Sequence, residues 1–200
     1  MGIQQRRQRQ KENLRQAILE AAEELYVTEG FDHVSMRRIA EKIEYSPTTI
    51  YLYFKDKAEL LSAILEGYNA RLYEKLLQVM DMDHPVSSLK KGMRVYIDFG
   101  LDNPGFYRLA FLHTQGFRTE DYLAENSYGA KSYMNLRLHV EACIRDGSFR
   151  YMDVDLATQV IWSMNHGMAS ILITNPNFPW VDKDALISAS IEQAVAGFLR

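Results

Sequence analysis
The sequence predicts an all-α fold of about nine helices. A three-helix N-terminal domain would occupy residues 1–60 and a larger helical domain residues 61–200. Three observations predict this. Apolar residues recur at i, i+3, i+4 and i+7 through most of the chain, with no sustained two-residue alternation to mark a strand. Start signals (Ser35, Ser46-Pro47, Asp56) and stop signals (Gly30, Asn103-Pro104, Asp146-Gly147) punctuate that pattern at helical lengths. Finally, the stretch Ser35–Leu61 holds two short helices about three residues apart, the plan of a helix-turn-helix.

The first helix is expected over Lys11–Glu29, with Leu14, Ala17, Ile18, Ala21, Ala22, Leu25 and Tyr26 on one face and Gly30 as its stop. Residues 1–10 read as a mobile basic arm. Together with Lys11 they carry Arg6, Arg7 and Arg9 and no acid. The arm either reaches a phosphate backbone or minor groove, or is a frayed chain end. The second helix follows the Ser35 cap and aligns Met36, Ile39, Ala40 and Ile43. The third spans 47–54, with Ser46 as N-cap and Pro47 where its missing N–H costs nothing. Asp56-Lys57-Ala58-Glu59 is a capping-box pattern opening a long helix to about Met80, with Leu61, Ile64, Leu65, Tyr68, Leu72 and Leu76 on one side. Asp83-His84-Pro85 ends it. Later helices are expected near Val86–Leu101, Pro104–His113, Glu120–Asp146, Val154–Thr174 and Asp184–Leu199, with further breaks at Gln115-Gly116 and 175–179.

The apolar content, 47% of residues, suffices for a packed core. The net charge of −3 argues against a globally basic nucleic-acid binder. Its distribution reverses that argument, because past residue 60 acids outnumber bases 16 to 13 while the N-terminal end is basic. The single cysteine, Cys143, excludes an intrachain disulfide and fits a reducing cytoplasm. No apolar run is long enough to span a membrane, and the polar N-terminus is not that of a signal peptide.

The third helix carries the functional signal. With Ile50 at the centre of the buried face and Phe54 and Tyr53 near it, Pro47, Thr48, Thr49, Tyr51 and Leu52 form the outer surface. Hydroxyls there can bond phosphates or either kind of base, and a Thr methyl or Leu can touch a thymine methyl. A solvated face would carry Glu and Lys instead. Arg37 and Lys57 flank this surface as candidate phosphate contacts. Each is otherwise a solvated helix residue, and a cation in the first turn of a helix is disfavoured unless an anion lies nearby.

The pieces ILEAAEELYVTEGFDHVSMRRIA (residues 18–40) and SPTTIYLYFKDKAELL (residues 46–61) resemble the TetR family of bacterial transcriptional regulators. The resemblance covers about a third of the chain. It implies that Arg37, Ser46, Pro47, Thr48, Thr49, Tyr51, Leu52, Tyr53 and Lys57 contact double-stranded operator DNA. It also implies that the long helix links the DNA-binding part to the rest. One departure is Glu44, where the family often has Gly, which puts the backbone conformation of the turn in question. Further on, Trp162, His166 and Gly167 resemble the Trp-x-x-x-His-Gly element of one class of TetR-type C-terminal domains.

The second domain is expected to bind a small effector and to dimerise. Aromatics and methionines are abundant between residues 93 and 166. Most should simply pack the core, but Tyr96, Phe99, Phe106, His113, Tyr133, Trp162 and His166 are the candidates to line a cavity for a largely apolar effector of unknown identity. His166 is equally readable as a satisfied core histidine. Helix 154–174 is apolar on more than one face and helix 184–199 is rich in small residues. A two-fold homodimer through both is therefore expected, with Val160, Gly167, Ile171, Ile187, Ile191, Ala194, Val195 and Phe198 at the interface. No metal or cofactor is expected, since paired-Cys, His-Glu-x-x-His and glycine-rich phosphate motifs are lacking. His139 and Cys143 share a helix face and admit a thiol–imidazole pair. The whole reads as a ligand-responsive, cytoplasmic transcriptional regulator and repressor on a palindromic operator, not an enzyme. The alternative is a helical adaptor that binds protein rather than DNA.

Overall fold
A computed structural model describes residues 2–111, 124 and 126–200. The described residues are all-helical: α1 (Ile3–Glu29), a short 3-10 turn (Phe31–His33), α2 (Met36–Lys42), α3 (Pro47–Tyr51), α4 (Lys57–Gln78), α5 (Pro85–Asp102), α6 (Pro104–Phe111), α7 (Tyr128–Arg145), α8 (Val154–Thr174) and α9 (Lys183–Ala196). They form two compact units. Residues 2–67 belong to one, with residues 108–111, and residues 68–107 and the described residues from 124 onward to the other. The division thus falls inside α4, past the expected boundary at residue 60.

In the first unit, α1 starts at Ile3 rather than Lys11, so most of the expected mobile arm has helical backbone. Its Gln, Arg and Lys residues are good helix formers even without an apolar face. Gln8 Nε2 donates to Glu12 Oε1 at 2.7 Å, one turn on, and Gly2 N–H donates to Gln5 Oε1 at 3.3 Å. Ile18, Ala21, Ala22, Leu25 and Tyr26 are buried, as are Met36, Ile39 and Ala40 of α2, Ile50 of α3, Phe54, and Leu60, Leu61, Ile64 and Leu65 of α4. Gly30 stops α1 at φ 86°, its N–H reaching the Tyr26 carbonyl at 3.2 Å.

In the second unit, α5 packs against α7, α8 and α9, and α8 against both α7 and α9. The core takes Leu89, Met93, Ile97 and Phe99 from α5, Val140 and Cys143 from α7, and Ile161, Ala169, Leu172 and Ile173 from α8. Ile187, Ile191, Ala194 and Val195 of α9 are buried in it too, and Phe198 stacks on Phe149 at 5.5 Å. These five belong to the subunit's own core, which corrects their expected place at a dimer interface. The apolar pattern of α9 is spent inward, and its small residues Ala185, Ser188, Ala189 and Ala196 are the ones left exposed.

Another expectation is also corrected. His139 is buried with Nε2 2.8 Å from Ser88 Oγ and Nδ1 2.8 Å from the Asn135 carbonyl. Burial pushes the Cys143 thiol up to about 12. The imidazole is committed to Ser88 and Asn135 and the thiol stays protonated, so the pair is structural rather than nucleophilic.

Candidate nucleic-acid interface and effector groove
The turn between α2 and α3 decides how α3 is presented. Ser35 caps α2, its Oγ accepting from Arg38 N–H at 3.1 Å. At the other end, Glu44 takes φ 60°. Its N–H reaches the Glu41 carbonyl at 3.3 Å, and the Tyr45 N–H reaches the Ala40 carbonyl at 2.9 Å. This pair of bonds, five-to-two and six-to-one, is a Schellman motif, and its left-handed position usually holds glycine. The Gly-to-Glu departure from the family therefore leaves the turn's conformation intact.

Ser46 then caps α3. Its Oγ accepts from Thr49 N–H at 3.2 Å and lies 2.9 Å from Thr49 Oγ1. Helical geometry ends at Tyr51 rather than at residue 54. Tyr53 and Phe54 N–H groups still reach the Ile50 carbonyl, at 2.9 and 3.1 Å, so the chain continues the turn. Ile50 and Phe54 point into the core, and Arg15 lies over the Phe54 ring at 5.0 Å. The opposite surface is bare, with Ser46, Pro47 and Thr48 exposed, Tyr51 55% exposed and Leu52 76%. Thr49 and Tyr53 lie at its edges, Thr49 exposed and Tyr53 half-buried. Two large apolar side chains on so short a helix, held outward by a capped and buried scaffold, are arranged to meet something.

The flanking cations are arranged differently from one another. Arg37 is exposed and pairs with Glu41 at 3.1 Å. Lys57 turns inward: its Nζ donates to the Phe31 carbonyl and sits 4.2 Å from the Phe31 ring centroid. Desolvation lowers its pKa, partly offset by Asp32. Glu59 caps in both directions, its N–H donating to Asp56 Oδ1 at 2.8 Å while its carboxylate accepts from Lys55 N–H at 2.6 Å. Sequence reasoning missed Tyr45, which is 50% exposed at the approach to α3. Its signal was an aromatic residue immediately before the cap.

In the second unit the structure gathers part of the expected effector set. The Tyr107 hydroxyl lies 2.7 Å from His166 Nδ1 and 3.0 Å from the His166 carbonyl oxygen, and the Tyr96 hydroxyl 3.0 Å from Nδ1. The Tyr107 ring stacks on the imidazole at 5.2 Å. Trp162 stands 6.0 Å from His166 and 6.1 Å from Tyr133, edge to face with the latter. Burial lowers the His166 pKa and favours the neutral ring. Tyr107, absent from the expected set, is its most connected member.

A groove of about 450 Å³ opens beside this cluster, lined by Trp162, Ser163, His166, Gly167, Ser170, Ile171 and Thr174. Phe99 and Phe106 do not line it. They are buried against Tyr68, whose ring stacks on Phe106 at 4.2 Å, which makes them core residues. His113 lies outside the described residues. Val160, Met164 and Ile171 are 40–44% exposed on α8, on the side away from the core. Among the described residues there is no cluster of His, Cys, Asp and Glu able to hold a metal. No described helix is long and apolar enough to cross a membrane.

A capped helix-turn-helix with an outward-facing second helix, followed by a separate helical unit, defines a DNA-binding transcription regulator. Comparison with known proteins agrees. Residues 18–64 match the model of bacterial regulatory proteins of the tetR family, and residues 89–198 match the tetracyclin repressor-like C-terminal domain. The chain belongs to the TetR family, whose members bind DNA and are dimers. It is similar to the nucleoid occlusion factor SlmA of Vibrio campbellii, 26% identical over 192 residues covering 91% of this chain and 97% of the relative. With SlmA of Pasteurella multocida the likeness is 25% over 108 residues, 54% of each chain. The chain thus spans nearly all of some curated relatives and about half of others. Among solved structures, a tetR-family regulatory protein from Rhodococcus RHA1 superposes with a TM-score of 0.75 at 20% identity, over 91% of this chain and 95% of that one. The regulator PfmR from Thermus thermophilus gives 0.71 at 22%, over 92% and 99%.

Proposed function
We propose that the protein is a homodimeric repressor that places one α3 from each subunit in a major groove of a palindromic operator and is released by a small, largely apolar effector. The observation that carries the DNA half is the exposed surface of Pro47, Thr48, Tyr51 and Leu52 on a helix whose other face is fully buried. In this reading Thr48 and Thr49, with Pro47 or Leu52, meet base edges. Ser46, Tyr51 and Tyr53 set the register on phosphates with Arg37. Lys57 has spent one of its three donors on Phe31 and can offer the others to a phosphate.

The dimer face of this reading differs from the sequence expectation. It comprises Val160, Met164, Gly167 and Ile171 of α8 with the small residues Ala185, Ser188, Ala189 and Ala196 of α9, all outside the core. The effector half rests on the Tyr96–Tyr107–His166–Trp162 cluster and its groove. An effector acts by binding more tightly to a state whose recognition helices are wrongly spaced, and shifts the equilibrium only by that difference.

Tyr51→Ala tests the DNA surface. Being half-exposed, the side chain contributes little to the core, so the fold and the dimer should survive while operator affinity falls by about tenfold or more, the ~1–3 kcal/mol of a contacting side chain. Unchanged affinity in a gel-shift titration would remove Tyr51 from the interface.

A further inference from the structure
We propose that the α8 groove is a ligand site completed by a second copy of this chain, so that a neutral, largely apolar ligand carrying a hydrogen-bond donor binds the dimer and not the isolated subunit. The inference rests on the dimeric, effector-responsive reading above and adds to it that the two sites are one.

The argument begins with the lining. All seven described residues that line the groove lie on α8 alone, at positions 162, 163, 166, 167, 170, 171 and 174. One helix face cannot enclose a small molecule, because drug-sized ligands bury most of their surface in concave sites. The lining also spans two roles. Trp162 and His166 belong to the aromatic cluster, whereas Gly167 and Ile171 belong to the outward apolar strip with Val160 and Met164. A side chain added at Gly167 would meet nothing within 4 Å, so the groove floor there is open to an incoming group.

A second copy is the occupant the surface fits. The 21 residues of α8 and 14 of α9 present uncovered faces. At 1.5 Å per residue and roughly 10 Å width these give a footprint on the order of 500 Å² per subunit, about 1,000 Å² over two, the level at which an interface becomes specific. The exposed small residues of α9 allow close approach of a partner helix. Seating a partner along Val160, Met164 and Ile171 necessarily roofs the groove, because Ile171 is part of both.

The ligand class follows from the wall chemistry. None of the described lining residues is charged, and Trp162 and Ile171 offer apolar surface. The Ser163 and Thr174 hydroxyls donate to the Gln159 and Ser170 carbonyls, both at 2.7 Å, and so present only lone pairs. An apolar body with one hydroxyl or amine donor satisfies this wall, and a carboxylate does not.

The test uses the full-length chain with Trp180→Phe, leaving Trp162 as the one tryptophan, and N-phenyl-1-naphthylamine as a neutral apolar probe with a single N–H. Energy transfer from Trp162 reports binding, and analytical ultracentrifugation reports the oligomer. Ala189→Arg, outside the groove, is expected to give a folded monomer by circular dichroism that binds the probe at least tenfold more weakly, while Ala189→Ser behaves as the parent. For the parent itself, probe signal per subunit should fall on dilution through the dimer dissociation midpoint. A monomer with undiminished probe affinity, or a signal independent of dilution through that midpoint, would overturn the shared site and leave the dimeric regulator standing. An Ala189→Arg protein that remains dimeric would instead refute the dimer face itself, and with it this inference. A parent dimer that binds no probe would refute the ligand class.

Discussion

The left-handed residue in the helix-turn-helix gives the sharpest test of the local argument. Glu44 sits at φ 60° in a Schellman motif, is only partly buried, and its carboxylate makes no hydrogen bond or ion pair among the described residues. An L-residue in this conformation costs roughly 1–2 kcal/mol. Glycine removes that cost but adds about 0.5–1 kcal/mol of unfolded-chain entropy. Glu44→Gly should therefore stabilise the protein by about 0.5–1 kcal/mol, a rise in Tm of about 1–4 °C at this chain length. Glu44→Ala deletes the same carboxylate yet keeps the Cβ, so it should gain little or nothing. Differential scanning calorimetry of the three proteins at fixed concentration decides the matter. A Glu44→Ala gain equal to that of Glu44→Gly would show that charge, not backbone strain, governs the position. A loss in Glu44→Gly would refute the assigned conformation.

Three further predictions concern the caps and the buried polar groups. Ser46→Ala removes the N-cap of a five-residue helix and should cost about 1 kcal/mol of stability, with weakened operator binding, read by thermal melt and gel shift. Ser88→Ala should destabilise by about 2 kcal/mol or more in urea titration. Ser88 Oγ contacts the Asp81 N–H, the Val79 carbonyl and His139 Nε2, all within 2.9 Å, and no neighbour replaces it. Cys143, fully buried and pushed up to about 12, should resist a thiol reagent at pH 8 until the protein unfolds. Because its folded pKa is raised, its contribution to stability is complete below the unfolded value near 8.5 and is lost as pH rises from there toward 12, so a chemical-denaturation midpoint measured from pH 8 to 10 should fall more in the parent than in Cys143→Ala.

What the sequence revealed, and what it hid, follows physical lines. The range Val154–Thr174 was legible in full because Asp153 caps one end and Asn175 with Pro176 closes the other. The turn motifs around Ser35, Ser46 and Asp56 were legible because their signals are local side-chain-to-backbone bonds. The start of α1 was missed because residues 3–10 form a helix through propensity alone, without the apolar periodicity that marks one. The inward face of α9 could not be told from its outward face, since Ile and Val on one side and Ala and Ser on the other both admit packing. Only the tertiary arrangement buries Ile187, Ile191 and Val195 and leaves Ala185 and Ala189 out. The bonds from Tyr107 and Tyr96 to His166 join residues 59 and 70 positions apart, a separation that no local pattern encodes. Lys57 turned to Phe31 for a similar reason: a carbonyl 26 residues away, just past the end of α1, took the donor first.

The central claim is that the surface of α3 reads DNA. Its most direct test is a titration of the full chain against the duplex upstream of its own coding sequence, with a random duplex of equal length as control, across a series of salt concentrations. The account predicts a saturable complex at about 0.15 M salt that is tighter than the random duplex by roughly 10³ or more, and that is weakened by Tyr51→Ala without loss of the dimer. No binding to either duplex at low salt would contradict it and favour a helical adaptor whose exposed Tyr51 and Leu52 meet a protein.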